Sequence, residues 1–353
     1  EVAIETASQT IGIDLTVEES GELALFVNDG NYIYSYLYND ADEMIKSHRF
    51  DKTADRQMTD KQAILEQNGM YVIYKSDPLR TSFESHSYNI NNNTKSKHRF
   101  DIHLTDEFHL KSIASGENLY MFTVGKKNNW VYVYEFDSPT HYNKHKFNLS
   151  SLTKAYDKTF FEMVRPQKDI GNYGMGNDIM LIHSNITTSL KTAGFSKKFY
   201  YQDHHFKLSI DQRSDQSTLV FDFDITQNSC ELYRFDMVAK NSNKAFSSYM
   251  HEGMVYQINA NENGFLIERH SWPDDKLEQS YSFGKNKLYP AEHLRGNFGK
   301  KNNPKERMIK QASRGDAAVV INKNAEQENI MTFGASENGD FKILGFAAAG
   351  LAI

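Results

Sequence analysis

Cysteine, proline and long apolar runs are scarce in this chain of 353 residues, which has one cysteine and six prolines. The single cysteine, Cys230, excludes an intrachain disulfide framework and any metal site built from several cysteines. No apolar run approaches the roughly 18 residues that a membrane-spanning helix needs, and the mean hydropathy is -0.64. We therefore expect a chain that does not span a membrane.

The chain also has no surplus of basic residues. The net charge is -6, and the 40 basic and 46 acidic residues are interleaved along the chain. No basic stripe that would follow a phosphate backbone can be inferred, so nucleic acid is not an expected partner. The first residue is Glu1 rather than Met, which predicts a processed or trimmed N-terminus, such as one that follows a removed signal peptide.

Aromatic residues are plentiful, at 13% of the chain, and many stand in alternating runs. The clearest stretch is Phe108–Leu149, which reads FHLKSIAS, NLYMFTVG, WVYVYEFD and HYNKHKFNL. Alternating apolar and polar residues are typical of half-buried antiparallel strands, and the glycine- and asparagine-rich breaks between these segments are typical of turns. This stretch is predicted to form a four-stranded meander.

The last strand of this meander recurs along the chain. The copies are HRFD at 48–51, HRFD at 98–101, HKFN at 145–148, YRFD at 233–236 and YSFG at 281–284. Their phenylalanines are 50, 47, 88 and 48 residues apart, and the interval of 88 is interpreted as two periods of 44. A strand-based period near this length is typical of propeller blades.

The chain therefore resembles the β-propeller superfamily, although the pattern names no specific family. We predict an all-β fold: a single β-propeller domain over residues 1–353, with four-stranded antiparallel blades and a ring closed by the N- and C-terminal strands. Seven blades are predicted, with six as the alternative. His48, His98 and His145 are predicted to occupy equivalent positions in successive blades.

Several segments interrupt the repeat. The segment Ser150–Gln167 is predicted to be a strand, with a short helix as the alternative. Long loops are predicted at Arg165–Asn177 and Lys285–Gln311. The predicted fourth blade continues through 197–210, and the predicted fifth blade includes 218–225 and 230–237.

The residues most suggestive of catalysis are Asp222 and Asp224, because glycoside hydrolases use paired carboxylates. Both alternate with Phe221 and Phe223, so the aspartates are expected on a solvated face while the phenylalanines pack. The chain has no sialidase Asp-box and no regular WD pairs, and the segment from Trp272 to Asp275 is predicted to be a turn. No catalytic residue is predicted, and enzymatic activity is not expected.

Metal and cofactor sites are not predicted either. The adjacent His204 and His205 would point to opposite faces of a strand, which prevents them from binding one ion together. Cys230 begins a predicted strand without a neighbouring histidine or asparagine, which predicts an inert, half-buried thiol.

The C-terminal run GFAAAGLAI, residues 345–353, has no charge and no alternation. It is interpreted either as a final buried strand or as a docking segment covered by a partner. Together with the long loops, it provides the residues predicted to contact a protein partner, which are Tyr173, Met175, Phe346, Leu351 and Ile353.

These features predict a non-enzymatic interaction module outside the cytoplasm, in the periplasm or at the cell surface. The expected partner is a larger cell-envelope assembly, such as an outer-membrane secretion or uptake channel. The envelope setting is inferred from the apolar tail and from a composition rich in Asn, Lys, Asp, Tyr and Phe, which resembles that of proteins from AT-rich genomes such as those of Bacteroidota. The alternative is an extracytoplasmic propeller that binds or cleaves glycans, with tyrosines and Trp130 as stacking platforms.

Overall fold

Strands make up most of the structure, which is a computed structural model. It describes residues 12–17, 23–28, 32–39, 41, 43–51, 60–67, 70–76, 82–89, 94–165, 179–182, 187–202, 205–240, 245–261, 263–284, 294–295, 316–324, 328–336 and 343–349. These residues form 25 strands and three short α-helices. The strands belong to six sheets, named A to F in chain order.

Sheets A, B and C are four-stranded antiparallel meanders, in which each strand pairs with the next one in the chain. Sheet A contains Gly12–Val17 (β1), Leu23–Asn28 (β2), Tyr32–Tyr38 (β3) and Met44–Asp51 (β4). Sheet B contains Asp60–Gln67 (β5), Met70–Ser76 (β6), Phe83–Asn89 (β7) and Thr94–Phe100 (β8). Sheet C contains Glu107–Ser115 (β9), Asn118–Gly125 (β10), Trp130–Ser138 (β11) and His141–Asn148 (β12).

Sheets D and F depart from the simple meander, whereas sheet E keeps it. Sheet D contains Ile179–Ile182 (β13), Lys197–Gln202 (β14), His205–Gln212 (β15), Ser217–Asp224 (β16) and Ser229–Asp236 (β17), with β13 parallel to β14. Sheet E contains Ala245–His251 (β18), Met254–Asn261 (β19), Gly264–Ser271 (β20) and Lys276–Gly284 (β21). Sheet F contains Leu294–Arg295 (β22), Asp316–Lys323 (β23), Asn329–Ser336 (β24) and Ile343–Ala349 (β25), in the spatial order β22-β25-β24-β23.

Burial changes from one strand to the next within a sheet. In sheet C, β10 is buried on both faces, whereas the outermost strand β12 is mostly exposed and buries Phe147. The outermost strands β8 and β21 follow the same rule, with Phe100 and Phe283 as their buried residues. This gradient explains the repeated sequence motif, because an exposed strand needs one apolar side chain to hold it on the core. Four-stranded meanders that follow one another along the chain are the blade architecture of β-propellers.

The equivalence predicted for His48, His98 and His145 is confirmed. Each lies on the fourth strand of its sheet, two residues before the repeated phenylalanine. Their cross-strand partners on the third strand are Ser35, Ser85 and Val133.

The repeated phenylalanine also joins neighbouring sheets. The ring of Phe100 in sheet B lies 4.9 Å from that of Phe136 in sheet C. Phe235 in sheet D stacks on Trp272 at the end of β20, with ring centroids 5.6 Å apart. Phe283 in sheet E lies 4.4 Å from Phe333 in sheet F, so the motif carries the packing between sheets.

Two sequence predictions about the middle of the chain are wrong. The described part of Ser150–Gln167, residues 150–165, is not a strand: Ser150–Thr153 (α1) and Phe160–Val164 (α2) are helical, with a 3-10 turn between them. The second helix is stabilised by a capping box, in which the Thr159 side chain accepts a hydrogen bond from the backbone N–H of Glu162 and the Glu162 carboxylate accepts one from the backbone N–H of Thr159.

The predicted fourth and fifth blades are one sheet, because β14 to β17 pair consecutively in sheet D. The interval of 88 residues between Phe147 and Phe235 is therefore not two strand periods. Before β14 it contains α1, α2, the parallel strand β13 and the helix Leu190–Ala193 (α3). Among the described residues six sheets are present, so the prediction of a seventh blade is not confirmed.

The chain divides into two compact units, 1–148 and 149–353. The first contains sheets A to C and has a core of aromatic and aliphatic residues between sheets B and C. The second contains sheets D to F, and its largest described core joins β18, β19 and β23 to the helix α3.

Candidate functional site

One of the five predicted partner-binding residues, Phe346, lies among the described residues. It is on β25, and its backbone position pairs with Gly334 of β24 and with Arg295 of β22. Pairing on both sides favours the alternative in which the apolar run is a strand of the last sheet. The partner contact of Phe346 stays a prediction.

The other four, Tyr173, Met175, Leu351 and Ile353, lie outside the described residues. Most of the two predicted loops is also outside them. Within Lys285–Gln311 the described part is β22, a strand of two residues rather than loop. The partner contact of these residues therefore also remains a prediction.

The described residues include a row of half-exposed aromatic and exposed basic side chains on β11 and β12 of sheet C, next to sheet B. We call it the B/C groove and define it by Trp130, Tyr132, Tyr142, Lys144 and Lys146. Tyr132 and Tyr142 pack against the core that sheets B and C share. Alternate residues of a strand share a face. Trp130 and Tyr132 therefore project from one face of β11. In the same way, one face of β12 carries Tyr142, Lys144 and Lys146.

Lys144 lies in the middle of the B/C groove, over two aromatic rings. Its ammonium nitrogen lies 4.3 Å from the ring centroid of Tyr132 and 4.4 Å from that of Tyr134. It also donates a hydrogen bond of 2.9 Å to Glu107. Cation–π contact and a charge-assisted hydrogen bond together restrict the long lysine side chain, so the groove is organised before any ligand arrives.

Glu107 ties this arrangement to the sheet. Its carboxylate accepts hydrogen bonds from the hydroxyl of Tyr134 at 3.0 Å and from the hydroxyl of Thr123. Burial raises the pKa of Tyr134, and the negative charge of Glu107 raises it further. Burial likewise raises the pKa of Tyr142. Both phenols therefore stay protonated at neutral pH and act as hydrogen-bond donors rather than as bases.

The catalytic candidates Asp222 and Asp224 lie in a second groove, between sheets D and E. Phe221 and Phe223 are buried, as predicted. The aspartates share the opposite face, where Nδ1 of His205 lies 3.2 Å from Asp222. Their side chains are only 14% and 17% exposed, so that face is less solvated than expected.

Aromatic residues complete this second groove. The ring of Trp272 lies 4.4 Å from that of Tyr233, and the ammonium nitrogen of Lys207 is 5.5 Å from the Trp272 ring. The Lys207 nitrogen also lies 3.7 Å from Asp222. Asp222 is thus paired with Lys207 and His205 inside this groove. The segment from Trp272 to Asp275 is a turn, as predicted.

Cys230 is half-buried near the start of β17, as predicted. Burial raises the pKa of its thiol, and the neighbouring carboxylates of Asp222 and Glu231 raise it further. A thiol in this state is protonated at neutral pH and is a poor nucleophile. Over the described part of the chain, no three His, Cys, Asp or Glu side chains converge on a possible metal position. His204 lies outside that part.

The most deeply buried charged pair in the described residues is Lys198 with Asp211, both of which have 0% side-chain exposure. Nζ of Lys198 lies 2.9 Å from the Asp211 carboxylate. Asp211 also accepts hydrogen bonds from the hydroxyl of Thr218 and from the backbone N–H and hydroxyl of Ser248 on sheet E. This network joins sheets D and E inside the core, which is a structural role.

Sequence reasoning named Trp130 as a stacking platform but missed Lys144, Glu107 and the buried pair. Alternation on two consecutive strands, W-x-Y-x-Y followed by Y-x-K-x-K, was the available signal for the B/C groove. The contacts of Lys198 with Asp211 have no such signal, because they join strands whose register the sequence does not reveal.

No helix of the described residues is both long enough and apolar enough to cross a membrane. No protein-family profile matches the chain, and no curated protein matches it. Similar solved structures include the Dos1 propeller, at 11% identity and a TM-score of 0.35, with 94% of this chain and 67% of that chain covered. The Nup133 β-propeller domain of Vanderwaltozyma polyspora has 8% identity and a TM-score of 0.32, with 96% and 83% covered.

Enzymes are also among the similar structures. Prolyl oligopeptidase B of Galerina marginata has 7% identity and a TM-score of 0.31, with 90% of this chain and 46% of that chain covered. These similarities assign the chain to no specific family and transfer no activity to it.

Proposed function

We propose that the protein is a non-enzymatic interaction module that acts as an accessory subunit of a cell-envelope assembly, outside the cytoplasm. The observation that supports this function is the difference in burial between the inner and the outermost strands of the sheets. Inner strands such as β10 are buried on both faces, while outermost strands such as β8 and β21 expose most of their side chains. A buried core that carries exposed strands and loops is suited to present contact surfaces.

The charged residues of the described core support the same proposal, because they hold sheets and loops in place. Lys198 and Asp211 bind sheet D to sheet E. The Glu268 carboxylate accepts hydrogen bonds from the backbone N–H groups of Val238 and Ala239, at 2.7 and 3.0 Å, which holds the connection after β17. We further infer one propeller domain of six blades, the alternative number, since the predicted fourth and fifth blades are a single sheet.

Two truncations test the role of the apolar tail. Removal of residues 350–353 leaves β25 complete and takes away Leu351 and Ile353. We expect this variant to lose much of its recovery with the native partner in a pull-down through an N-terminal tag, at an unchanged melting temperature. Removal of 345–353 also takes most of β25, so we expect a lower melting temperature as well.

The matched control for the pull-down is Leu277→Ala, which removes another exposed apolar side chain, on β21. Its recovery of the partner should equal that of the unchanged protein. If the truncation of 350–353 recovers a stoichiometric partner as well as the control does, the tail is not the docking segment.

A second candidate function, glycan binding, is favoured by the B/C groove. Half-exposed aromatic rings beside hydrogen-bonding phenols suit the apolar faces and hydroxyl groups of sugars. The carboxylate beside the groove, Glu107, is occupied by Lys144 and Tyr134, and the phenols of Tyr134 and Tyr142 stay protonated because their pKa values are raised, so these residues favour binding over cleavage. A binding role is therefore the form of this alternative that we retain.

A further inference from the structure

We propose that the B/C groove binds an acidic polysaccharide, one whose sugar rings carry carboxylate or sulfate groups. The inference rests on the second candidate function, glycan binding, and names its ligand class and its site. It is independent of whether the protein also serves as an interaction module.

The aromatic residues provide the stacking surface. Trp130, Tyr132 and Tyr142 are each partly exposed and lie on two adjacent strands of sheet C. Tyr142 is held from below by sheet B, since its ring lies 5.9 Å from that of Phe100 and its hydroxyl is 3.5 Å from the carbonyl oxygen of Asp101. Rings supported in this way keep their orientation, so little conformational entropy is lost when a sugar ring stacks on them.

The basic residues provide charge complementarity. Lys146 is exposed and lies opposite Tyr132 in the register of β11 and β12. Among the described residues no carboxylate is within ion-pair distance of Lys146, whereas Lys144 is paired with Glu107. Lys146 can thus meet a ligand carboxylate or sulfate without first breaking an internal ion pair.

The outermost strands of sheets B and C are basic, although the protein as a whole is acidic. The two outermost strands β8 and β12 together carry five Lys or Arg residues and no Asp or Glu. The corresponding strands β17 and β21 carry two Lys or Arg and three Asp or Glu. The difference makes the region around β8 and β12 locally attractive to anions in a chain with a net charge of -6.

The charge density of the ligand favours a polysaccharide over a nucleic acid. Double-stranded DNA carries one charge per roughly 1.7 Å, and such a polyanion would be repelled by the remaining acidic surface. An acidic polysaccharide carries fewer charges per length and presents sugar faces to the rings.

Affinity electrophoresis of the full chain through gels that contain polygalacturonate, heparin or neutral dextran tests the proposal. We expect retardation by at least one of the two anionic polymers, little by dextran, and a loss of retardation with added salt because the groove charges are exposed. Lys146→Gln should weaken binding about threefold and Trp130→Ala about fivefold or more. Melting temperatures should show that both variants remain folded.

The matched control is Lys276→Gln, on the outermost strand β21 of sheet E, where the side chain is 71% exposed. It removes the same charge elsewhere and should leave the retardation unchanged. The proposal is overturned if neither anionic polymer retards the protein, if Lys276→Gln weakens binding as much as Lys146→Gln, or if single-stranded DNA competes fully for the same site. Partner recovery by the Lys146→Gln variant should be normal, which separates this site from the interaction role.

Discussion

Asp211 accepts four hydrogen bonds in the core of the second unit, from Lys198, from Thr218, and from the backbone and hydroxyl of Ser248. Burial lowers the pKa of Lys198, while the charge of Asp211 opposes that shift. A buried pair of this kind stabilises a fold only as long as both partners are present, since a lone buried charge has lost its hydration.

Asp211→Ala should therefore destabilise the protein by about 3 to 5 kcal/mol, because it leaves Lys198 buried without its carboxylate. The matched control is Asp236→Ala. Asp236 is 42% exposed, and its hydrogen bonds with Arg234 lower its pKa to about 2. Loss of a surface pair costs about 0 to 1 kcal/mol. Urea unfolding of both variants measures the difference, and equal effects would contradict the structural role of the buried pair.

The raised pKa of the buried His270 should make the stability of the protein depend on pH. Its Nδ1 lies 2.9 Å from Asp275 and its Nε2 lies 3.5 Å from Glu268. Burial acts to lower the pKa of His270, but the two carboxylates outweigh it and the pKa is raised. Burial acts to raise the pKa of Glu268, but the interaction with His270 and the hydrogen bonds from the backbone N–H groups of Val238 and Ala239 outweigh it, and the pKa is lowered.

A histidine with a raised folded-state pKa contributes stability that is complete below its unfolded value of 6.5 and is lost as the pH rises through the folded value. A glutamate with a lowered pKa contributes stability above its unfolded value of 4.5 and loses it on acidification. The pair should thus stabilise most between these limits. In His270→Gln the loss of unfolding free energy from about pH 6 to about pH 9 should be smaller than in the unchanged protein.

Urea unfolding across that pH range is the measurement. His141→Gln is the control, since His141 is 61% exposed and pairs with Asp137 at the surface. The control should keep the pH dependence of the unchanged protein. An identical pH profile for the two variants would show that His270 does not titrate with folding.

At the scale of elements, the outermost strands β8, β12, β17 and β21 each depend on one buried aromatic residue. Phe235 is fully buried and stacks on Trp272 of the next sheet. Phe235→Ala should lower the free energy of unfolding by about 3 to 5 kcal/mol, since it removes packing within sheet D and between sheets D and E. Leu277→Ala, on the exposed part of β21, should change it by less than about 0.5 kcal/mol.

Hydrogen exchange shows which strands are destabilised by Phe235→Ala and by how much. In a repeat protein each unit contacts its neighbours, so Phe235→Ala should accelerate exchange first in β16, β17 and β20. Uniform acceleration along the chain would mean that the contact between Phe235 and Trp272 is not a local joint between sheets.

The sequence predicts many strands because apolar and polar residues alternate in them, as in WVYVYEFD and HYNKHKFNL, which correspond to Trp130–Ser138 and His141–Asn148 in the structure. The strand β18 was missed because it is buried on both faces and carries Ser247 and Ser248 in its middle, so it shows no alternation. The helix α2 had a readable signal, the T-x-x-E capping box from Thr159 to Glu162, which the aromatic residues beside it obscured.

At the scale of the whole molecule, spacing predicts the repeat but not the number of sheets. Phe147 and Phe235 are separated by an insertion of helices and a parallel strand, which imitates one extra period. Length alone cannot distinguish such an insertion from a blade. The B/C groove was only partly predictable for a related reason: Trp130 is visible in the sequence, but the placement of Lys144 over Tyr132 depends on the pairing of β11 with β12.

The short strand β22 has a consequence for the solubility of the chain. Sheets B and C end in strands rich in Lys and Arg, and such charges deter a second chain from adding to an open sheet edge. Sheet F has no such protection on β25, whose sequence is ILGFAAA. Instead, Leu294 and Arg295 of β22 cover Ala347 and Phe346. Loss of those two residues would leave an uncharged, alanine-rich edge open to self-association, and aggregation would begin there.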